Sequence, residues 1–186
     1  MAVLRVLVPL LIALSLSACA GHKQLPNAFH KALQQPYRLD SGDSLRIVVF
    51  GQNDLSNVYK VDQSGHITMP LIGAVPARGR TSTELEREIA ISLKKGYVRR
   101  PDVSVEIAAY RPFFIMGEVN TAGQFPYVAG MTVQMAVATA GGFSPRANHK
   151  NVDITRRING RVLNGRVPIT DPIRPGDTIY VRERFF

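Results

Sequence analysis

The sequence predicts an α+β fold made of two small β-rich units, each carrying one short helix. Three observations lead there. Runs of alternating apolar residues outnumber helical patterns, and turn-forming Gly, Asp and Asn clusters separate them. Only two stretches have helical spacing behind a capping residue, at Thr81 and Thr132. The length, 186 residues, allows one medium domain or two small ones.

Residues 1–18 read as a signal peptide of the lipoprotein type. Arg5 supplies the basic start, and Val6 to Leu16 is an uncharged run, too short for the roughly 20 apolar residues of a bilayer span. Leu16-Ser17-Ala18-Cys19 resembles a bacterial lipobox, which implies lipid attachment at Cys19. It is the only Cys of the chain, so it leaves no intrachain disulfide and no multi-thiolate zinc site. Ala20 in place of Asp after that Cys favours the outer membrane. Residues 19–36, with Gly21, Pro26 and Pro36, read as a tether.

The first unit, 37–111, opens on the turn Asp40-Ser41-Gly42-Asp43 and a strand holding Leu45, Ile47 and Val49 on one face. Val58–Asp62 and His66–Met69 flank Gln63-Ser64-Gly65 and predict a hairpin. Thr81 and Glu84 have capping-box spacing, and Leu85, Ile89 and Leu93 form a helical stripe ending near Gly96. After Pro101, Val103, Val105 and Ile107 alternate as a strand.

The second unit, 112–186, starts with a buried-strand candidate at Phe113–Met116, followed by a second strand at Gln124–Val128. Thr132 caps a helix stopped by Gly141-Gly142. Asn159-Gly160 between Val152–Arg156 and Arg161–Leu163 is a strong hairpin signal. The closing strand follows Gly176-Asp177, a local echo of Gly42-Asp43.

The formal charge of +9 points to anionic partners, and export across the inner membrane excludes nucleic acid. Lys94, Lys95, Arg99, Arg100, Arg156 and Arg157 are the candidate glycan or lipid contacts, weighed against a merely solvated face. Tyr37, Tyr59, Tyr97 and Tyr127 could stack on sugars or simply pack. His22, His30, His66 and His149 lack metal-binding spacing, and no nucleophile elbow, phosphate loop or paired carboxylate is found. No catalytic residue, metal or cofactor is expected, and the chain is read as a non-enzyme.

Several phrases in order resemble the polysaccharide export outer-membrane lipoprotein family. They are Tyr37-Arg-Leu-Asp-Ser-Gly-Asp43, Gly65-His-Ile-Thr-Met-Pro70, Ile72-Gly73, Gly79-Arg-Thr81 and Pro101 to Val105. Gly117-Glu-Val119, Gly123, Ala140-Gly-Gly142 and Pro175 to Val181 resemble the family's soluble-ligand-binding β-grasp domain. Ala122 stands where the family usually has Pro. The resemblance implies a β-grasp-like second unit and a homo-oligomeric ring at the periplasmic face of the outer membrane. That ring would give capsular polysaccharide or exopolysaccharide its route outward. The implied partners are the periplasmic domain of an inner-membrane polysaccharide co-polymerase, the exported polymer and outer-membrane lipid. With Phe186 directly after the last strand, the chain resembles the family's short class, without a C-terminal membrane helix. A lipid-anchored periplasmic glycan-binding module without a conduit role is the alternative.

Overall fold

The structure, a computed structural model, describes residues 35–158 and 160–184. The expected signal peptide, Cys19 and all of the tether before Gln35 lie outside the described residues.

Strand β1 (Ser44–Val49) alternates as its sequence requires. Leu45, Ile47 and Val49 are buried, while Arg46 and Val48 face out. A 3-10 turn (Asn53–Leu55) leads into β2 (Asn57–Lys60), which pairs antiparallel with β1. The next two strands, β3 (His66–Met69) and β4 (Gly73–Pro76), form a separate hairpin. Helix α1 (Ser82–Lys94) buries Leu85, Ile89 and Leu93. Strand β5 (Val103–Ala109) then returns beside β1, completing a sheet ordered β2-β1-β5. The core of this unit lies between that sheet, the hairpin and α1.

The hairpin expected between residues 58–62 and 66–69 is corrected. The turn exists, with the Asp62 N–H donating to the His66 carbonyl at 2.8 Å. The strands then part: Lys60 lies opposite Ser44, and His66 opposite Pro76. The Gly65 carbonyl accepts the Ala77 and Arg78 N–H groups, each at 2.9 Å, which draws β3 toward β4. Ile67 and Met69 thereby reach the core, whereas β2 serves as a sheet edge.

The capping box at α1 is complete. Thr81 Oγ1 accepts the Glu84 N–H at 3.2 Å, and Glu84 Oε2 accepts the Thr81 N–H at 2.9 Å. Thr81→Ala is expected to lower stability by about 1 kcal/mol in urea denaturation, with Thr81→Ser retaining most of it. Glu86 reaches beyond the helix: its Oε1 accepts the Val105 N–H at 2.9 Å and ties α1 to β5.

In the second unit β6 (Phe113–Gly117) pairs with the short β7 (Gly123–Phe125). The expected strand to Val128 stops early because Pro126 has no N–H for the ladder. Helix α2 (Val133–Thr139) is capped by Thr132 as its sequence indicates. Strands β8 (Asn151–Ile158) and β9 (Arg161–Pro168) pair so that Ile158 faces Arg161 across a two-residue connection. Strand β10 (Thr178–Val181) enters the middle of the sheet, parallel to β6 and antiparallel to β8. The order is β7-β6-β10-β8-β9, a mixed sheet. Val133, Ala136 and Val137 of α2 share a second core with Phe113, Ile154 and Ile179. The fold is α+β, with one helix packed on strands in each unit.

A candidate cationic cleft at the junction of the two units

The echo between Gly42-Asp43 and Gly176-Asp177 becomes a structural pair. Both glycines have positive φ, +97° and +81°, which a side chain would resist. Both aspartates are buried and close their own turns. Asp43 Oδ2 accepts the Asp40 N–H at 2.9 Å, and Asp177 Oδ2 accepts the Arg174 N–H at 2.7 Å. Each carboxylate also faces a guanidinium. Arg156 grips Asp177 through Nε at 2.9 Å and Nη2 at 2.6 Å, a bidentate fork. Arg111 Nη1 lies 3.4 Å from Asp43, and its N–H donates to Asp43 Oδ1 at 2.9 Å.

Arg111 connects the two turns. A Cβ built on Gly42 would sit 3.2 Å from the Arg111 Cβ, and one on Gly176 2.6 Å from its Nε. The Gly176 N–H donates to the carbonyl of Pro112 at 3.0 Å. Glycine is therefore needed twice, for backbone angle and for the passage of one arginine. Arg111 Nη1 also donates to the Tyr37 hydroxyl at 2.7 Å, which donates onward to Asp43 Oδ2 at 2.7 Å. Tyr37, Tyr110 and Tyr127 then follow edge to face, with ring centres 5.0 and 5.3 Å apart.

Burial, reinforced by the Asp43 carboxylate and opposed by Arg111, holds the Tyr37 phenol well above its ordinary pKa of 10.0. The folded chain thus keeps a proton that the unfolded chain releases near pH 10. This contribution is intact below pH 10 and falls as pH rises above it. The parent chain is expected to lose stability more steeply than Tyr37→Phe above pH 10, as read by denaturation midpoints across alkaline pH.

Over this junction lies a cleft of about 400 Å³. Pro36, Tyr37 and Arg38 line one side, with Arg78 and Gly79 from the loop before α1. Arg157 and Val162 of the β8–β9 hairpin also line it, and Arg111, Arg174 and Pro175 contribute from the junction. A second cleft of about 300 Å³ shares Tyr37, Arg174 and Pro175 and adds Tyr110 and Tyr127. The exposed arginines are partly committed: Arg38 pairs with Glu84 at 3.2 Å, and Arg78 with Asp40 at 3.0 Å.

The structure sorts the expected contact residues into three places. Arg157 lines the cleft and is exposed. Arg156 is a correction: it is 2% exposed and serves as a buried structural ion pair instead of a surface contact. Lys94, Lys95, Arg99 and Arg100 are exposed at or beyond the C-terminal end of α1, while the cleft adjoins its start. The 13-residue helix is on the order of 18 Å long, so the two basic groups are well apart. Of the tyrosines, Tyr37 and Tyr127 reach the clefts, Tyr59 donates its hydroxyl to Leu55, and Tyr97 stands exposed. Arg38, Arg78, Arg111, Arg174 and Tyr110 were not singled out from sequence. The repeated Gly-Asp turn points to two of them: Arg174 opens the turn that ends at Asp177, and Arg38 lies two residues before the turn that opens at Asp40. Among the described residues no cluster of His, Cys, Asp and Glu is arranged to hold a metal ion.

Two small α+β units joined by a buried polar clamp, with a cationic, tyrosine-lined cleft over the joint, define a two-domain module with a built-in groove. Residues 31–108 match the family described as polysaccharide biosynthesis/export protein, and residues 112–167 match the SLBB domain. The chain belongs to the polysaccharide export protein family. It is 38% identical over 118 residues to the exopolysaccharide production protein ExoF of Rhizobium meliloti (strain 1021), covering 57% of this chain and 28% of that one. It is 30% identical over 183 residues to the EPS I polysaccharide export outer membrane protein EpsA of Ralstonia solanacearum, covering 80% and 48%. It is 25% identical over 159 residues to the polysialic acid transport protein KpsD of Escherichia coli, covering 80% and 28%. The chain therefore spans half or less of the length of these curated relatives.

Proposed function

We propose that this protein is a subunit of an oligomeric ring that passes capsular polysaccharide or exopolysaccharide from the periplasm to the cell surface. The observation that carries the reading is the export domain at 31–108 followed directly by the SLBB domain at 112–167, the two clamped through Arg111. The ring sits at the periplasmic face of the outer membrane, held by lipid on Cys19. It docks on the periplasmic domain of an inner-membrane polysaccharide co-polymerase. The protein's contribution is passage without bond chemistry: hydroxyl, backbone and cationic groups that release a hydrated chain as readily as they capture it.

The test is native mass measurement of the lipidated protein, with and without the co-polymerase's periplasmic domain, together with surface polysaccharide in a deletion strain. A closed homo-oligomer and loss of surface polymer are expected. A monomer at all concentrations, with normal secretion in the deletion strain, overturns the reading. Cys19→Ser is expected to leave a folded body that no longer sediments with membranes. Its recovery in the membrane pellet, still lipid-labelled, overturns the anchor.

A further inference from the structure

The cleft over the junction has a charge imbalance that its own side chains do not resolve. Its lining includes six arginines, Arg38, Arg78, Arg111, Arg156, Arg157 and Arg174, and one carboxylate, Asp40. Four of these arginines have carboxylate partners: Arg38 with Glu84, Arg78 with Asp40, Arg111 with Asp43, and Arg156 with Asp177. Arg157 and Arg174 have no carboxylate within ion-pair distance among the described residues. Arg174 Nη2 donates to the backbone carbonyl of Gln35 at 3.3 Å. Partial burial and the neighbouring Arg156 disfavour its charged form, and Asp177, Tyr127 and Tyr37 offset them only in part. A partly buried guanidinium beside another cation is stabilised by an anion that enters the cleft.

The rest of the lining indicates what else the anion carries. Tyr37 and Arg174 belong to both clefts, so the two openings meet at these residues. Tyr37, Tyr110 and Tyr127, which line the second cleft, are half-buried rings suited to the C–H surfaces of a sugar, while the Tyr37 and Tyr127 hydroxyls are held by Arg111, Asp43 and the Ile173 carbonyl. A combined run of this size fits a short length of oligosaccharide better than a single small ion.

We propose that the cleft between the two units binds a carboxylate-bearing sugar of the exported polymer, with Arg157 and Arg174 receiving the carboxylate and the tyrosine row supporting the adjacent ring. This rests on the export reading above and adds a substrate class to it. Planar guanidinium forks match a carboxylate in two-point contact, which distinguishes a uronate from a neutral hexose. Arg157 is exposed and Arg174 half-buried, so the contact stays open to solvent on the Arg157 side and does not trap the chain.

The test uses the full chain in detergent and isothermal titration calorimetry at fixed salt. The probes are an oligogalacturonate, a neutral malto-oligosaccharide of equal length, and inorganic phosphate. Binding of the oligogalacturonate is expected, weakened about tenfold or more in Arg157→Gln/Arg174→Gln. The neutral oligomer is expected to bind at least about tenfold more weakly than the uronate. Arg87→Gln/Lys150→Gln, two exposed cations that line neither cleft, serves as a charge-matched control and is expected to leave uronate binding unchanged. Thermal melts of both double variants verify folding. Uronate binding that is absent, equal to that of the neutral oligomer, or lowered equally by both double variants overturns the proposal. Phosphate that displaces the uronate at equal concentration also overturns it, because the cleft would then read charge without sugar. A ring that forms and exports normally while uronate fails to bind overturns the cleft assignment alone. Uronate binding by a permanently monomeric protein overturns the conduit and leaves the cleft assignment standing.

Discussion

Arg156→Met is expected to destabilise the second unit by about 3–5 kcal/mol, because it leaves the Asp177 carboxylate buried without its guanidinium. Asp177 is 1% exposed and receives both Nε and Nη2 of Arg156. Asp177 Oδ2 also accepts the Arg174 N–H. Water cannot replace the lost partner without opening the turn that starts β10, the strand between β6 and β8. Small proteins have about 5–15 kcal/mol of total stability, so this loss is a large fraction of it. Urea denaturation followed by circular dichroism should show the midpoint falling sharply. Adding Asp177→Asn to Arg156→Met is expected to recover part of the loss. The asparagine carbonyl still accepts the Arg174 N–H, and no buried charge remains. An Arg156→Met protein as stable as the parent would show that the pair is not the keystone of this turn.

Gly117→Ala should be comparably severe, for a steric reason. Gly117 ends β6 at φ +88°, and Val181 lies opposite it in the parallel ladder with β10. A methyl group there would press on the Val181 carbonyl oxygen, well inside contact distance. That oxygen cannot retreat, since it accepts the Glu118 N–H at 2.9 Å. The left-handed backbone costs about 1–3 kcal/mol for a side-chain-bearing residue. Forced overpacking adds about 1–3 kcal/mol more. Gly130→Ala separates the two causes, because Gly130 has a similar φ of +85° with nothing within 4 Å of the added methyl. It is expected to show the backbone cost alone. Equal loss of thermal stability in the two variants would exclude the steric explanation.

The elements themselves were largely readable because their signals are local. Alternation at Leu45, Ile47 and Val49 announced β1, and Thr81 with Glu84 announced the start of α1. Partner choice was not local. Nothing near Val58 states that its strand pairs backward with β1, because the deciding bonds run from Gly65 to Ala77 and Arg78. The candidate site was half legible. Arg156 and Arg157 look alike as adjacent charges, yet strand parity places Arg156 with Val152 and Ile154, on the inward face. Parity applied before charge would have separated the two arginines. The cleft itself joins residues more than a hundred positions apart, Tyr37 and Arg174 among them. Only the repeated Gly-Asp turn hinted that distant segments meet, and four residues cannot state that two copies face one arginine.

Residues 111 and 112 leave no slack between the units. The N–H of one is fixed to Asp43, and the carbonyl of the other to Gly176. Mechanically this is a rivet and not a swivel. Torque on either half is delivered to the other through backbone bonds, and the molecule resists load as one short strut. Bending at this joint requires breaking those two bonds together with the contacts of the Arg111 guanidinium to Tyr37 and Asp43.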